Sequence, residues 1–194
     1  MLEKLPPEIP SNSYHIYIGN FMVLSDEKLM ELIHSGYIPS DVHLGPCSVD
    51  LTLAEDYLVP HLPDDRPYIT VTEDYPHKLA PVETFVLYPQ KFVLASTNEL
   101  IKIPDHMCGV VHGRSSVGRL GIQVQNAGFI DAGFTGQITL ELVNQSNAPV
   151  LLKPNMRICQ LVMHNLHGQS KRPYRGKYQG QVGPTPSRIK EDEE

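Results

Sequence analysis

A short run between two arginines carries residue types that bind phosphate. Arg114 and Arg119 lie five residues apart, and Ser115, Ser116 and a glycine lie between them. Guanidinium forks and hydroxyl groups pair well with phosphate oxygens, and glycine allows the backbone to approach a ligand closely. A helix beginning near Ser115 would also present free N–H groups to an anion. The run therefore indicates an anion site, with an arginine-rich surface turn as the alternative.

Glu141 lies in an apolar segment whose side chains alternate. Ile138, Leu140 and Leu142 occupy every second position, so a strand places them on one face and puts Thr139 and Glu141 on the other. A lone glutamate on a strand is usually just solvent-facing. The arginine run upstream makes Glu141 a candidate functional residue instead.

Two further segments contain candidate groups. Asp131 lies in a glycine-flanked turn, where an aspartate usually bonds nearby backbone amides. Between Lys171 and Lys190 there are six cations and no acid, in a stretch rich in glycine and proline. Such a stretch is either a disordered, solvated end or a lid that closes over a polyphosphate.

Zinc chemistry and acyl transfer are disfavoured by missing motifs. Zinc enzymes that act on nucleobases use H-x-E and P-C-x-x-C, and neither pattern occurs here. Cys47, Cys108 and Cys159 are too widely spaced for a zinc ribbon, and their odd number argues against a disulfide framework. Because there is no G-x-S-x-G elbow, Ser115 and Ser116 are not convincing acyl nucleophiles.

Composition limits the partners that the chain can have. At 194 residues it fits one domain, and 16 Lys plus Arg against 22 Asp plus Glu give a net charge of −6. An acidic chain is a poor general binder of nucleic-acid polymers. There is no basic and apolar leader, and no apolar run approaches the roughly 20 residues that span a bilayer. We expect a cytoplasmic protein that does not bind membranes.

The pattern of elements predicts a mainly β fold. One helix is expected from Asp26 to about Ser35, with Ser25 as N-cap and Gly36 as stop signal. Many short strands separated by turn residues indicate a sandwich or barrel of jelly-roll type. Two of these strands flank Tyr88–Lys91, which reads as a hairpin turn. The predicted strands are Ser48–Leu53, Phe85–Leu87, Phe92–Ala95, Gly109–Val111, Ile122–Gln125, Gln137–Asn144, Val150–Leu152 and Ile158–Met163.

An ordered set of motifs resembles the dCTP deaminase family of the dUTPase-like superfamily. The motifs are GRSSVGRLG at 113–121, GFIDAGF at 128–134, ITLEL at 138–142, MRICQL at 156–161 and KYQGQVGPTPSR at 177–188, preceded by VLSD at 23–26 and PCSVDL at 46–51. The resemblance implies a distorted β-barrel or jelly roll with one or two short helices, forming a homotrimer that shares active sites between subunits. It also implies an N-terminal extension at 1–21, a β domain at 22–170 and a basic lid with an acidic end at 171–194.

By this resemblance Glu141 is the general base for the water that attacks cytosine C4, and shelter from solvent should bring its pKa nearer the working pH. Ser115 orients that water, Arg119 holds the catalytic geometry and phosphate charge, and Asp131 meets the deoxyribose. The segment Thr139–Glu141 reads the pyrimidine. The whole set implied to bind substrate is Arg114, Ser115, Ser116, Val117, Gly118, Arg119, Asp131, Thr139, Leu140, Glu141, Gln160, Tyr174, Lys177 and Gln181.

The resemblance also bears on the product. Ala127 and Gly128 match the bifunctional members that form dUMP through dUTP, with Asp131 activating the second water. The alternatives are a monofunctional deaminase that releases dUTP, a plain dUTPase, and a jelly roll without enzymatic activity. The resemblance further implies magnesium held through substrate phosphates and water, no zinc, and feedback inhibition by dTTP.

Overall fold

A computed structural model of the chain describes residues 22–62, 64, 68–70, 76–81, 84–126 and 128–192, so the predicted extension at 1–21 lies outside the described residues. No helix among those residues combines the length and apolar character needed to cross a bilayer. The elements follow in the order α1 Asp26–His34, β1 His43–Leu44, β2 Val49–Thr52, β3 Asp56–Pro60, β4 His77–Pro81, β5 Phe85–Leu87, β6 Phe92–Ser96, β7 Ile101–Lys102, β8 Met107–Gly113, α2 Ser115–Gly118, β9 Ile122–Gln125, β10 Thr135–Gly136, β11 Thr139–Asn144, β12 Val150–Leu152 and β13 Arg157–Asn165, with a 3₁₀ turn at Ile189–Asp192.

Two antiparallel sheets form the frame of the molecule. One has the strand order β1-β2-β13-β8 and the other β4-β3-β6-β11-β9, and the short pairs β10-β7 and β12-β5 complete the sheet structure. Val49 and Leu51 of the first sheet and Leu140 and Leu142 of the second are fully buried in one apolar core. The predicted mainly β fold with few helices is confirmed.

The strand that carries Glu141 lies inside the second sheet, with β6 on one side and β9 on the other. Its residues alternate between half-buried and buried along Thr139–Asn144. Leu140 and Leu142 face the core, whereas Thr139 and Glu141 face away from it, as the sequence predicts. Glu141 lies opposite Leu94 on β6 and Gln125 on β9.

Helix α1 forms where the sequence predicts it and ends as expected. Leu29 and Leu32 are buried, and Gly36 follows with a φ of +72° that favours glycine. The prediction for Ser25 is only half right. Ser25 occupies the N-cap position, but its side chain makes no capping hydrogen bond. Asp26 and Glu27 lie in the first turn, where negative charge favours a helix.

The predicted hairpin around Tyr88–Lys91 is wrong. A turn does form, because the Lys91 N–H donates to the Tyr88 carbonyl at 3.2 Å and Gln90 has a φ of +60°. However, β5 pairs with β12, whereas β6 pairs with β11 and β3. The turn therefore connects two different sheets, because burial of residues such as Leu87 against distant strands selects the partners.

The C-terminal segment, residues 171–192, packs along β10 and β11. The Gly180 N–H donates to the Thr135 carbonyl at 2.7 Å, and the Gln137 N–H donates to the Gln181 carbonyl at 2.9 Å. Further along, the Thr185 N–H donates to Thr139 Oγ1 at 3.1 Å. The segment is thus held as an ordered strip beside the sheet, which is not the arrangement of a solvated end.

Candidate active site

A cavity of about 630 Å³ lies on the outer face of the second sheet. The sheet supplies its floor, the loop around Asp131 supplies one wall, and the C-terminal segment supplies another. Phe92 and Leu94 of β6 contribute apolar surface beside the polar groups. Six of the residues predicted from the sequence line this one cavity: Asp131, Thr139, Glu141, Tyr174, Lys177 and Gln181.

Glu141 faces the cavity because its neighbours on the strand, Leu140 and Leu142, face the core. Glu141 is half-buried, and it lies opposite Leu94, which is only 8% exposed. The carboxylate therefore stands at an apolar floor rather than on an open surface. Leu140, in contrast, is completely buried on the core side, so only its main chain can contact a ligand in the cavity.

Asp131 does not adopt the usual arrangement of a turn aspartate. Its carbonyl accepts the Phe134 N–H at 3.1 Å, but its carboxylate accepts no hydrogen bond from the part of the chain that the structure describes. Asp131 is instead one of the residues that line the cavity. Burial raises the pKa of the Cys108 thiol, and the negative charge of Asp131 contributes to the same rise.

Tyr174 anchors the C-terminal segment beside the Asp131 loop. Its N–H donates to the Ala132 carbonyl at 2.7 Å, and its ring packs against Phe134 with centroids 6.0 Å apart. Gly133 allows this approach. A Cβ on Gly133 would lie 2.5 Å from Pro173 Cβ, and the φ of +85° also favours glycine.

Lys177 places a positive charge on the wall of the cavity that the C-terminal segment forms. Its Nζ lies 2.6 Å from Asp192 Oδ2, and the Lys177 side chain is 20% exposed against 62% for Asp192. The hydrogen bond to Asp192 raises the pKa of Lys177 above its usual value. The acidic end of the chain thus supplies a carboxylate to the lysine that the sequence predicts as a phosphate ligand.

The predicted arginine run lies on a different surface of the same chain. Its short helix α2 begins at Ser115 as expected, but its polar side chains do not line the cavity. Val117 is buried. Gln160 also lies outside the cavity, and its Nε2 donates to Ser48 Oγ at 3.2 Å. The predicted residues that do not line the cavity of this chain are Leu140, which is buried in the core, and Arg114, Ser115, Ser116, Val117, Gly118, Arg119 and Gln160.

The residues predicted to select the product are described only in part. Ala127 lies outside the described residues. Gly128 is exposed, has a φ of +99°, and has open space around the position of an added Cβ. Its backbone conformation therefore explains a glycine there.

Several residues that line the cavity are not among the site residues predicted from the sequence. His77 arrives from β4, Asn126 and Phe129 come from the loop before Asp131, and Tyr178 and Thr185 come from the C-terminal segment. Asn126 Nδ2 donates to the Thr139 carbonyl at 3.2 Å. Phe129, Tyr178 and Thr185 lie within motifs that the sequence analysis recognises, whereas His77 is brought in by long-range strand pairing alone.

No group of three or more His, Cys, Asp or Glu side chains is arranged to hold a metal ion among the described residues. A cation bound mainly by phosphate oxygens and water needs no such cage, because magnesium keeps several waters and takes one or two carboxylates at most. The carboxylates of Asp131 and Glu141 are compatible with that mode of binding.

The chain is similar to known proteins over most of its length. The family model described as dCTP deaminase-like matches residues 23–166. Relatives from Persephonella marina and from a Sulfurihydrogenibium species are 45% and 44% identical over 177 residues, which cover 87% of this chain and 97% of each relative. Both relatives are named dCTP deaminase, dUMP-forming.

The fold also occurs among solved structures. The 2′-deoxycytidine 5′-triphosphate deaminase from Agrobacterium tumefaciens matches with a TM-score of 0.57 at 22% sequence identity. The match covers 74% of this chain and 48% of the Agrobacterium chain, so this chain spans about half the length of that protein. At this identity the likeness concerns the fold alone.

Replacing Gly133 by alanine should loosen the C-terminal segment, because the new Cβ would collide with Pro173. We expect trypsin to cleave at Lys171–Lys177 about tenfold faster, which corresponds to roughly 1.4 kcal/mol. Gly168→Ala is the matched control, since its φ of +104° gives similar backbone strain and no described atom lies within 4 Å. Equal cleavage of the two variants would show that close packing of Gly133 against Pro173 does not hold the C-terminal segment in place.

Proposed function

The chain belongs to the dCTP deaminase-like family, and we propose that it converts dCTP to dUMP, ammonia and diphosphate. The reaction consumes two water molecules, one at cytosine C4 and one at the α-phosphate. The observation that carries this proposal is that Glu141 and Asp131, one carboxylate for each water, line the same cavity. The cavity volume of about 630 Å³ lies in the range of small-molecule sites.

Glu141 is the proposed base of the deamination. Its carboxylate takes a proton from the water that attacks C4 and passes it on to the ring and the departing ammonia. Phe92 and Leu94 line the same cavity and provide apolar surface against which the pyrimidine ring can pack beside the carboxylate. Thr139 and the main chain of Leu140 would read the pyrimidine from the same strand.

Asp131 is the proposed base of the second hydrolysis. It would hold the deoxyribose during deamination and then activate the water that separates the α- and β-phosphates. Its carboxylate is not engaged by the described turn around it, which supports this role. With both carboxylates in one cavity, dUTP can be an intermediate that reacts before it is released.

The triphosphate site is proposed to be completed by a second copy of the chain. Tyr174, Lys177 and Gln181 line the cavity, whereas Arg114, Ser115 and the other residues of the arginine run lie on a separate surface. A homotrimer that shares sites between subunits would bring Ser115 and Arg119 of one copy to Glu141 of the next. A triphosphate at Lys177 would also replace the exposed Asp192 carboxylate.

Magnesium is proposed to bind on the substrate phosphates and not in a protein cage. Bound there, it would neutralise phosphate charge and favour departure of diphosphate. Asp131 is the described cavity residue best suited to contact its waters. We further propose that residues 171–192 form the lid, that dTTP competes for the same cavity, and that the enzyme works in the cytoplasm, where nucleotides are made.

A product assay tests the function directly. Purified protein should convert dCTP with magnesium to dUMP, and ion-exchange chromatography should show ammonia and diphosphate in equal amounts. Accumulation of dUTP alone would leave the monofunctional deaminase as the correct alternative. Cleavage of added dUTP without ammonia release from dCTP would indicate a plain dUTPase. Absence of both reactions would overturn the enzymatic proposal.

Glu141→Gln should abolish ammonia release while nucleotide binding persists, because the amide keeps the shape of the side chain but cannot accept the proton. A general base contributes about 100- to 10,000-fold, so we expect kcat to fall by that factor. Calorimetry with dCTP should give a Kd within about threefold of the unchanged protein. Glu55→Gln, an exposed glutamate outside the cavity, is the control. Near-normal deamination by Glu141→Gln would refute the assignment.

Asp131→Asn should slow diphosphate release more than ammonia release, because only the second hydrolysis uses this carboxylate as a base. We expect dUTP to accumulate and the ratio of diphosphate to ammonia to fall at least about tenfold. Asp105→Asn, in a turn outside the cavity, should leave the ratio at one. An unchanged ratio in Asp131→Asn would show that another group activates the second water.

A further inference from the structure

A buried carboxylate on β2 holds two arginines that are far apart in the sequence. Asp50 is 5% exposed. Its Oδ2 lies 3.2 Å from Arg114 Nε and 3.1 Å from Arg157 Nη1. Arg114 belongs to the arginine run of the proposed triphosphate site, whereas Arg157 has no role in the proposed function so far.

An irregularity in β13 brings Arg157 to this carboxylate. Regular alternation would place Arg157 and Gln160, three residues apart, on opposite faces of the strand. Gln160 lies opposite Asp50, but the register shifts between Arg157 and Cys159, so that Arg157 lies opposite Thr52. Arg157 and Gln160 therefore share the face of Asp50. β-Bulges near functional sites commonly redirect a side chain in this way.

The hydrogen bonds fix both guanidinium groups and leave donors unused. Arg114 uses Nε for Asp50 and donates from Nη1 to the Arg157 carbonyl at 3.3 Å. Arg157 uses Nη1 for Asp50. In the described part of the chain, Nη2 of Arg114 has no partner, and neither Nε nor Nη2 of Arg157 has one. The Arg157 side chain is 42% exposed, so these donors can meet a ligand.

The charge of the cluster favours an anion. One buried carboxylate is compensated by one guanidinium, and the second guanidinium leaves a net charge of +1 on the side that faces solvent. Gln160, a proposed substrate ligand, lies opposite Asp50 in the sheet register and adds a polar amide to the same face. Planar guanidinium forks match phosphate oxygens in pairs.

We propose that Arg157 is a second polyphosphate-binding residue beside Arg114, and that Asp50 is the positioning residue that orients both. This inference rests on the proposed function, because it extends the triphosphate site of the same reaction. Asp50 does not contact the substrate. It acts by holding Arg114 and Arg157 so that their remaining donors converge on the phosphate chain.

Arg157→Gln should weaken phosphate binding without slowing the chemistry. Loss of a charge-assisted hydrogen bond predicts a rise of about tenfold to a hundredfold in KM for dCTP, with kcat changed by less than about threefold. Calorimetry with inorganic tripolyphosphate should show the same factor in Kd. Arg157→Lys should recover only part of it, because an ammonium lacks the planar fork. Lys153→Gln, an exposed charge on the turn before β13, controls for net charge.

Asp50→Asn tests the positioning role separately. The amide cannot hold two cations, so KM and the tripolyphosphate Kd should rise at least as much as in Arg157→Gln. Adding Arg157→Gln to Asp50→Asn should cause little further loss, because the contribution of Arg157 already depends on Asp50. Glu99→Gln is the matched control, since Glu99 is a buried carboxylate that accepts hydrogen bonds from Thr52 on the same strand. Thermal unfolding of each variant identifies any loss of fold.

The outcomes separate this inference from the proposed function. If the unchanged protein releases no ammonia from dCTP, the proposed function fails, and tripolyphosphate binding still tests Arg157. If Arg157→Gln leaves both KM and the tripolyphosphate Kd within about twofold of the unchanged protein, the inference is overturned. A fall in kcat with unchanged KM and Kd would also overturn it.

Discussion

The two-residue period of β11 determines which of its side chains reach the cavity. Alternate residues of this strand face the core and the cavity. Leu140 and Leu142 are completely buried, and each contributes about 1.5–3 kcal/mol by leaving water. A shift of one residue in the pairing with β6 would expose both leucines and bury Glu141. The same burial that stabilises the sheet therefore holds the carboxylate at the cavity floor, with Thr139 beside it.

The C-terminal segment depends on that strand in turn. Its hydrogen bonds to Gln137 and Thr139 lie where regular pairing of β11 starts, so the segment is tied to the beginning of this strand. Gly133 is the position where backbone conformation decides the contact, because a side chain there would displace Pro173. Core packing thus fixes the floor of the cavity, and main-chain hydrogen bonds fix the wall that carries Tyr174 and Lys177.

Features encoded within a few residues could be predicted from the sequence, and features that depend on distant partners could not. Helix α1, most of the strands and the outward direction of Glu141 follow from local periodicity, so they were predictable. The pairing of β5 with β12 was not, because turn residues specify a bend and not the strands that meet across it. The role of Asp50 could not be predicted either, since it comes from arginines 64 and 107 positions away.

Two cations of the proposed triphosphate site, Arg114 and Lys177, pair with acids that differ in burial. This difference determines whether a phosphate can displace the acid. Asp50 is almost completely buried, so drawing both Arg114 and Arg157 away from it would leave an uncompensated charge in the interior, which is strongly unfavourable. The cluster must therefore persist while substrate binds and leaves. Asp192 is 62% exposed, and an exposed ion pair contributes little, because water solvates each partner after separation. A polyphosphate can therefore take the place of Asp192 at Lys177 but not that of Asp50 at Arg114. The buried acid orients its arginine permanently, whereas the exposed acid occupies its lysine only until a more highly charged anion arrives.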